Sequence, residues 1–350
     1  ISYEEKKPEC IQLLKSIYPR FGLNPLLKKI SDKVIAINDL KNHYAWPYPN
    51  YNQALKAKTF CDKFTDKKNS FIQKRQSLTF LITNHHAYNF AKLFWQHTGL
   101  GASSREAAID LRLEAEPNKD SVIEARRKII NRISKCTYAK SDLIHLTSSG
   151  MSALYTALEI IYKIFPKKPT LQIGFPYVDV LKLPNNIFYG ADLILEENTK
   201  NIEFKIKKIN PSALIIELPS NPMLKCVDIK KISKIANKLN IPIICDDTIG
   251  SNLNIDSLSY SDIVFTSLTK IFAGSGEVLA GSLILNPKGK WIEKFKKALS
   301  EIEIPKLSDS DTLALEKSSR DIVSRVSRQN INCLKLKKRL ENHNAISKVF

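Results

Sequence analysis

One lysine stands beside two hydroxyl residues in a short segment of the chain. Ser267, Thr269 and Lys270 follow residues 262–266, a short apolar run of the kind that forms a buried strand. Two hydroxyls can hold a phosphate while the neighbouring amine forms an imine, which is the combination that a pyridoxal cofactor needs. An ordinary surface lysine in a polar turn is the alternative interpretation.

A second candidate is a turn of small residues before a helical pattern. Ser149, Gly150 and Met151 stand where this turn meets the predicted helix 151–164. Free backbone N–H groups and the helix dipole attract anions at such a point, and Gly150 allows a phosphate to approach the backbone. The turn therefore predicts a phosphate site, although Gly and Ser also serve purely structural turns.

A third candidate is a carboxylate at the end of the apolar run 241–245. Asp246, Asp247 and Thr248 follow that run, and carboxyl ends of strands face the ligand crevice in α/β proteins. A carboxylate there can pair with a protonated pyridine nitrogen and make the ring an electron sink. Side chains alternate along a strand, so only one of the two aspartates can face the ring, and we assign Asp246. A cap or turn is the alternative use.

The elements that must position these residues alternate between strand and helix from about residue 121. Several apolar runs are too short for helices and too apolar for strands exposed on one face. They are residues 171–175, 213–218, 241–245, 263–265 and 279–285, and the amphipathic helices are 122–133, 151–164 and 228–239. This order predicts an α/β fold with a mostly parallel sheet and helices on both faces.

The three candidates occur in one order with Tyr177 in GFPY and Asn221 in ELPSNP. Together they resemble the cysteine and methionine metabolism family of pyridoxal-phosphate enzymes, the cystathionine γ-synthase and lyase group. That family's pattern is an S-G-M turn, a tyrosine, an S-N-P motif, a D-x-T carboxylate and an S-x-T-K lysine. The resemblance spans about Gly99 to Phe350. The segments GFPYVDVLKL, ELPSNP and TKIFAGSGEVLAGSLILNP are most similar to the fungal-type cystathionine γ-synthases.

The resemblance implies a role for each matched residue. Lys270 would hold pyridoxal 5'-phosphate as a Schiff base and move protons, Tyr177 would stack on the ring and act as acid or base, and Asp246 would pair with the pyridine nitrogen. Asn221 would hydrogen-bond near the phenolic oxygen. The other cofactor-binding residues would be Ser149, Gly150, Met151, Thr248, Ser267 and Thr269.

The implied reaction is a γ-replacement in which cysteine displaces the γ-substituent of an O-acylhomoserine to give cystathionine. A cystathionine lyase, an O-acetylhomoserine sulfhydrylase and a truncated non-catalytic relative remain alternatives, because the motifs do not separate them. The implied fold is the aspartate aminotransferase-like large domain. We expect a helical extension at 1–98, the cofactor domain at 99–305, and at 306–350 a long helix, about 311–342, leading into an incomplete carboxy-terminal domain.

Two departures from the family pattern concern arginines. Family members have a Tyr-x-Arg motif that reaches the phosphate from a neighbouring subunit, and here Ser103-Ser104-Arg105 stands in its place. Arg105 is therefore a candidate phosphate ligand, and its role implies a homo-oligomer, either a dimer or a tetramer. Tyr18-Pro19-Arg20 lies too far upstream to be this motif. The arginine that binds the substrate carboxylate belongs to the following small domain, which this chain hardly contains.

Charge and residue composition give no positive sign of a nucleic-acid, metal or membrane partner. The net charge of +19 comes from 54 Lys and Arg against 35 Asp and Glu, but the lysines are spread over every segment. This pattern is typical of a solvated surface, and a nucleic-acid binder, the further alternative, would show salt-dependent affinity. The six cysteines lack metal-site spacing, and neither a signal peptide nor an 18-residue apolar run is evident. We expect a cytoplasmic protein without a metal or a membrane partner.

Overall fold

The structure is a computed structural model that describes residues 7, 10, 13, 17, 18, 21–195 and 199–349. Its helices are α1 (Pro25–Ile37), α2 (Tyr51–Cys61), α3 (His85–Thr98), α4 (Ser104–Asp110), α5 (Lys119–Thr137), α6 (Gly150–Ile164), α7 (Val178–Ile187), α8 (Thr199–Ile209), α9 (Ile229–Leu239), α10 (Ile292–Ser300), α11 (Asp309–Ser318) and α12 (Ile322–Glu341).

The strands are β1 (Tyr44–Tyr48), β2 (Ser70–Arg75), β3 (Leu78–Thr83), β4 (Ile144–Thr147), β5 (Thr170–Ile173), β6 (Ala191–Ile194), β7 (Leu214–Glu217), β8 (Ile243–Asp246), β9 (Ile263–Ser267) and β10 (Gly281–Leu285). The larger sheet has seven strands in the order β4-β10-β9-β8-β7-β5-β6. Strand β10 is antiparallel to both of its neighbours, and the other pairs in this sheet are parallel. The predicted mostly parallel sheet is confirmed.

Helices cover both faces of this sheet. Successive strand residues point to opposite sides, so each face packs a different set of them. Ile215 and Ile244 pack in one hydrophobic cluster together with Leu154 of α6. Leu214 and Ile243, their chain neighbours, belong to a second cluster that includes residues of α5 and α9. The apolar runs of the sequence therefore correspond to strands buried on both faces, as predicted.

The amino-terminal region contains helices α1, α2 and α3, as predicted, and also strands that the prediction did not include. Strands β1, β3 and β2 form a three-stranded antiparallel sheet there. Strand β1 contains Pro47, and it lies at the edge of this sheet, where a proline without an N–H group is tolerated. Phe80 of β3 and Phe94 of α3 share a hydrophobic cluster with the large sheet, so this region packs directly on it.

The prediction of a single long helix at 311–342 is wrong, because this segment forms two helices, α11 and α12. The division falls at Ser319, whose hydroxyl donates to the Leu315 carbonyl at 2.7 Å while Arg132 donates to the same hydroxyl at 3.1 Å. A serine that bonds to the backbone competes with helix continuation. After the break, the Arg325 guanidinium donates to the carbonyl of Ile271 at 2.6 Å, which fastens α12 to the segment after Lys270.

Two further observations concern the described part of the chain. It contains no helix that is both long and apolar enough to span a bilayer. It also contains no group of three or more His, Cys, Asp or Glu side chains placed to hold a metal ion.

Candidate active site

A cavity of about 340 Å³ lies where the carboxyl ends of β7, β8 and β9 meet the start of α6. This edge of a parallel sheet is where α/β proteins bind ligands. The candidates from separate parts of the sequence come together in its wall. They are Ser149, Gly150, Met151, Tyr177, Asn221, Asp246, Thr248, Ser267, Thr269 and Lys270.

The predicted phosphate turn forms the amino-terminal end of α6. Ser149 caps the helix, since its hydroxyl accepts from the N–H of Ser152 at 3.0 Å and its N–H donates to the Ser152 hydroxyl at 2.8 Å. Helix geometry leaves the N–H groups of Gly150 and Met151 without intrahelical acceptors. A Cβ on Gly150 would lie 2.7 Å from the Cβ of Ser267, so only glycine allows this close approach. The turn can therefore present free donors beside a serine hydroxyl.

The carboxylate segment and the lysine segment are joined through Thr248. Its N–H donates to Oδ1 of Asp246 at 3.0 Å, and its hydroxyl accepts from the N–H of Ser267 at 2.9 Å. Thr269 fixes the other side of this segment, because its hydroxyl accepts from the N–H of Ala280 at 3.0 Å. These bonds hold the backbone on both sides of Lys270 while its side chain enters the cavity.

The amine of Lys270 is open to the cavity, but the surrounding protein removes part of its hydration. This desolvation lowers the pKa of Lys270 from its usual value. The amine also lies 4.5 Å from the centroid of the Tyr18 ring, and Tyr18 forms part of the cavity wall. No sequence pattern indicated this position for Tyr18, which lies far along the chain from the other motifs.

The structure separates the two neighbouring aspartates. Asp246 is 5% exposed and lines the cavity, and burial raises its pKa to about 6. Asp247 is fully buried, and its Oδ2 accepts from the N–H of Asn252 at 2.8 Å. Of the two, only Asp246 belongs to the wall among the described residues. This placement follows the alternation of side chains along β8 and its continuation.

Glu217 is a site residue that the sequence analysis missed. It ends β7 in register with Asp246 on β8 and lines the same cavity. Its two carboxylate oxygens accept from the N–H groups of Tyr177 and Asn221. Burial, with a further contribution from the charge of Asp246, raises the pKa of Glu217 to about 8. The argument that selected Asp246, a carboxylate at the end of a buried strand, would also have selected Glu217.

The amino-terminal region contributes to the cavity as well, although the sequence suggested no chemistry for it. Trp95 and Gln96 of α3 line the wall, and so does Glu106 of α4. Burial raises the pKa of Glu106 to about 7. On the same side, Nδ1 of His97 lies 3.2 Å from Oδ1 of Asp179, a buried contact between α3 and α7. No local pattern in the sequence indicates these contacts, because they depend on how the two regions pack.

Arg105 lies outside the set of described residues that line the cavity. Its guanidinium donates to Oδ1 of Asp311 and to the carbonyl of Glu277, both at 2.9 Å and both within its own chain. Its role as a phosphate ligand across a subunit interface therefore stays a prediction.

The residues of the cavity suit pyridoxal phosphate. A phosphate fits the free N–H groups of α6, and Gly150 leaves the space that a side chain would fill. The buried carboxyl of Asp246 suits a protonated ring nitrogen, and the partly desolvated amine of Lys270 suits a covalent bond to the aldehyde carbon.

Comparison with known proteins gives the family. The family model described as "Cys/Met metabolism PLP-dependent enzyme" matches residues 126–350. The chain belongs to this family. Its members depend on pyridoxal phosphate, which agrees with the chemistry of the cavity. The resemblance stated from the five motifs is thereby confirmed.

Relatives of known name cover part of the chain. A cystathionine gamma-synthase of Saccharomyces cerevisiae is 37% identical over 224 residues, which are 56% of this chain and 35% of that protein. A cystathionine gamma-synthase of Neurospora crassa is 32% identical over 225 residues, covering 60% of this chain and 36% of the relative. The chain thus spans about a third of the length of these two relatives.

A solved structure has the same fold. The cystathionine gamma-lyase of Lactobacillus plantarum superposes with a TM-score of 0.55 and 20% identity, over 67% of this chain and 62% of that one. The expected α/β fold of the pyridoxal-phosphate family is therefore confirmed.

Proposed function

We propose that the chain carries out a pyridoxal-phosphate-dependent γ-replacement, in which cysteine displaces the γ-substituent of an O-acylhomoserine to give cystathionine. The observation that carries the proposal is the hydrogen-bonded chain from Asp246 through Thr248 to Ser267, which accompanies the presence of the Asp246 carboxyl and Lys270 in one cavity. The two fungal relatives named cystathionine gamma-synthase support this choice of reaction.

The cofactor, when bound, supplies a conjugated ring that accepts electrons from the substrate carbons. The N–H groups of Gly150 and Met151 and the hydroxyl of Ser267 would bind its phosphate. Asp246 would accept a hydrogen bond from the ring nitrogen, and exclusion of water from this buried carboxyl strengthens such a pairing.

Lys270 would move protons between substrate carbons. Because desolvation lowers the pKa of Lys270, a larger fraction of its amine is neutral near pH 7 than for an exposed lysine, and only the neutral amine can accept a proton. Tyr177 would stack on the ring and serve as a second acid or base. It caps the start of α7 and lines the same cavity as Asp246.

We propose further that amino acids are the substrates and that the active form is a cytoplasmic homo-oligomer. Support for the oligomer comes from the family, in which a neighbouring subunit reaches the phosphate. Apolar side chains of α12, such as Val323 and Leu334, are 61% and 60% exposed, and a second surface would bury them.

The test is an assay of the cofactor-loaded protein with an O-acylhomoserine and cysteine, with products identified by mass spectrometry. Cystathionine is expected, with turnover lost in Lys270→Ala and retained in Lys288→Ala, an exposed lysine outside the cavity wall. A 2-oxo acid and ammonia in place of cystathionine would assign a lyase. Cofactor binding without turnover of either kind would assign a non-catalytic relative.

A further inference from the structure

Two separate loops bring groups to the ring site from β5 and β7. Tyr177 follows β5 and precedes α7, while Asn221 follows β7. One carboxylate contacts both loops: Oε2 of Glu217 accepts from the N–H of Tyr177, and Oε1 accepts from the N–H of Asn221 at 3.2 Å. A single side chain therefore bridges these two loops.

Glu217 occupies a costly position. It is 7% exposed, and it lies in register with Asp246 on the adjacent parallel strand, so both carboxyls project from the same face of the sheet. Burial of two neighbouring carboxyl groups is unfavourable for the empty protein. Natural proteins keep such unfavourable arrangements mainly where function requires them.

We propose that Glu217 is a positioning residue that couples the backbone of Tyr177 to that of Asn221 and so sets the ring-facing groups of both loops against Asp246. The bonds are to backbone amides, so Glu217 acts on the placement of the two loops and not on the ring itself. The proposal rests on the proposed cofactor site, and it is independent of the substrate.

The structure offers a matched control in Asp110. This carboxylate is 2% exposed and also accepts from two backbone amides, those of Ser77 and Leu78, at 3.2 and 3.3 Å. It lies outside the set of described residues that line the cavity. Asp110→Asn therefore removes a buried amide-binding carboxylate, and with it an ion pair to Arg75, without touching the proposed site.

The experiment titrates the cofactor-free protein with pyridoxal phosphate and records the visible circular dichroism of the bound cofactor, which reports how the ring is held. Glu217→Gln replaces one acceptor oxygen by an NH₂ group, so we expect affinity to fall about tenfold, as for a buried donor left unpaired, and the dichroic band to change. Asp110→Asn should lower the unfolding temperature while affinity and the band stay as in the wild type. Equal behaviour of the two variants would overturn the proposal.

A double-variant cycle tests whether Glu217 acts through Tyr177. In a Tyr177→Ala background, Glu217→Gln should weaken cofactor binding by clearly less than about tenfold, because the part of its effect that acts through Tyr177 is already lost and only the part through Asn221 remains. Full additivity would overturn the positioning role. Should Glu217→Gln fail to fold, Glu217→Asp keeps the carboxyl group but is too short to contact both amides, and the same loss of affinity is expected. Wild-type affinity in Glu217→Asp would contradict the proposal, whereas failure of the wild type to bind the cofactor would reject the proposed function instead.

Discussion

The amine of Lys270 and the ring of Tyr18 are in contact, with the nitrogen 4.5 Å from the ring centroid. This distance lies within the range of cation–π attraction, which favours the charged form of an amine. Desolvation acts in the opposite direction and lowers the pKa of Lys270. The reactivity of the amine therefore depends on the balance between these two effects.

Replacing Tyr18 should shift this balance. Leucine keeps most of the apolar cover but removes the aromatic face, so Tyr18→Leu should lower the pKa of Lys270 further and raise its rate of reaction with trinitrobenzenesulfonate near pH 8. Phenylalanine keeps the ring face, and Tyr18→Phe should react at nearly the wild-type rate. Peptide mapping of the labelled lysine in the cofactor-free protein measures both. Identical rates in all three proteins would show that the contact has no effect on the amine.

Lys270 should be the residue that bonds to the cofactor. The loaded protein should be yellow, and borohydride reduction should leave the cofactor attached to the peptide that contains Lys270. Lys270→Ala should bind the cofactor without a stable attachment, and Lys288→Ala should be labelled like the wild type. A label on another lysine would remove the assignment.

Part of the cavity could be predicted from the sequence because of one property of parallel sheets, whereas Tyr177 and Asn221 were assigned only through the family resemblance. The strands of such a sheet end at a common edge, so Asp246, Ser267 and the start of α6 had to meet once the strands were identified. Gly150 needed no tertiary information either, since a small residue before a helix suggests a close approach.

Other features depended on packing that local patterns do not encode. Tyr18 reaches the cavity from far along the chain, and Arg105 finds Asp311 in α11. A strand can form at Pro47 because it lies at a sheet edge. The break between α11 and α12 at Ser319 involves a hydrogen bond from Arg132. In each case the deciding partner is distant in sequence, so periodicity and motif spacing contain no signal for it.

The cofactor-free protein should lose stability as the pH rises from about 4 to about 8. The pKa of Glu217 is raised to about 8 and that of Asp246 to about 6, so between their ordinary values and these the folded form holds protons that the unfolded chain has released. Chemical denaturation at several pH values should show this fall. Glu217→Gln, which cannot ionise, should flatten the fall above pH 6. An unchanged profile would contradict the raised pKa of Glu217.

The two aspartates should differ in their effects. Asp246→Ala removes the cavity carboxyl, so turnover should be lost and cofactor affinity should fall. Burial raises the pKa of Asp247 well above its ordinary value, and Asp247→Asn preserves both the shape of this side chain and its bond to Asn252. Its activity should stay within about threefold of the wild type, a change below 1 kcal/mol. Steady-state kinetics and cofactor titration compare them, and equal losses would remove the basis for choosing Asp246.

Arg105 should complete the site of a neighbouring subunit if its family role is retained. Arg105→Ala and Lys270→Ala should each be inactive alone, because guanidinium suits phosphate and Lys270 is the reacting amine. Co-expressed in equal amounts, they should recover about one quarter of wild-type activity, since half of the dimers are mixed and one of two sites in each is intact. Sedimentation should show a dimer or tetramer.

The intrachain contact of Arg105 with Asp311 supplies the competing outcome. If the ion pair with Asp311 is the only role of Arg105, the defect of each variant stays within its own chain. The neighbouring subunit then cannot compensate for it, and co-expression restores no activity. A stable monomer that binds pyridoxal phosphate as tightly as an oligomer would likewise reject the shared site. Arg105→Lys distinguishes the two roles, because lysine keeps the charge for the pair with Asp311 but cannot form the bidentate contact that guanidinium makes with phosphate.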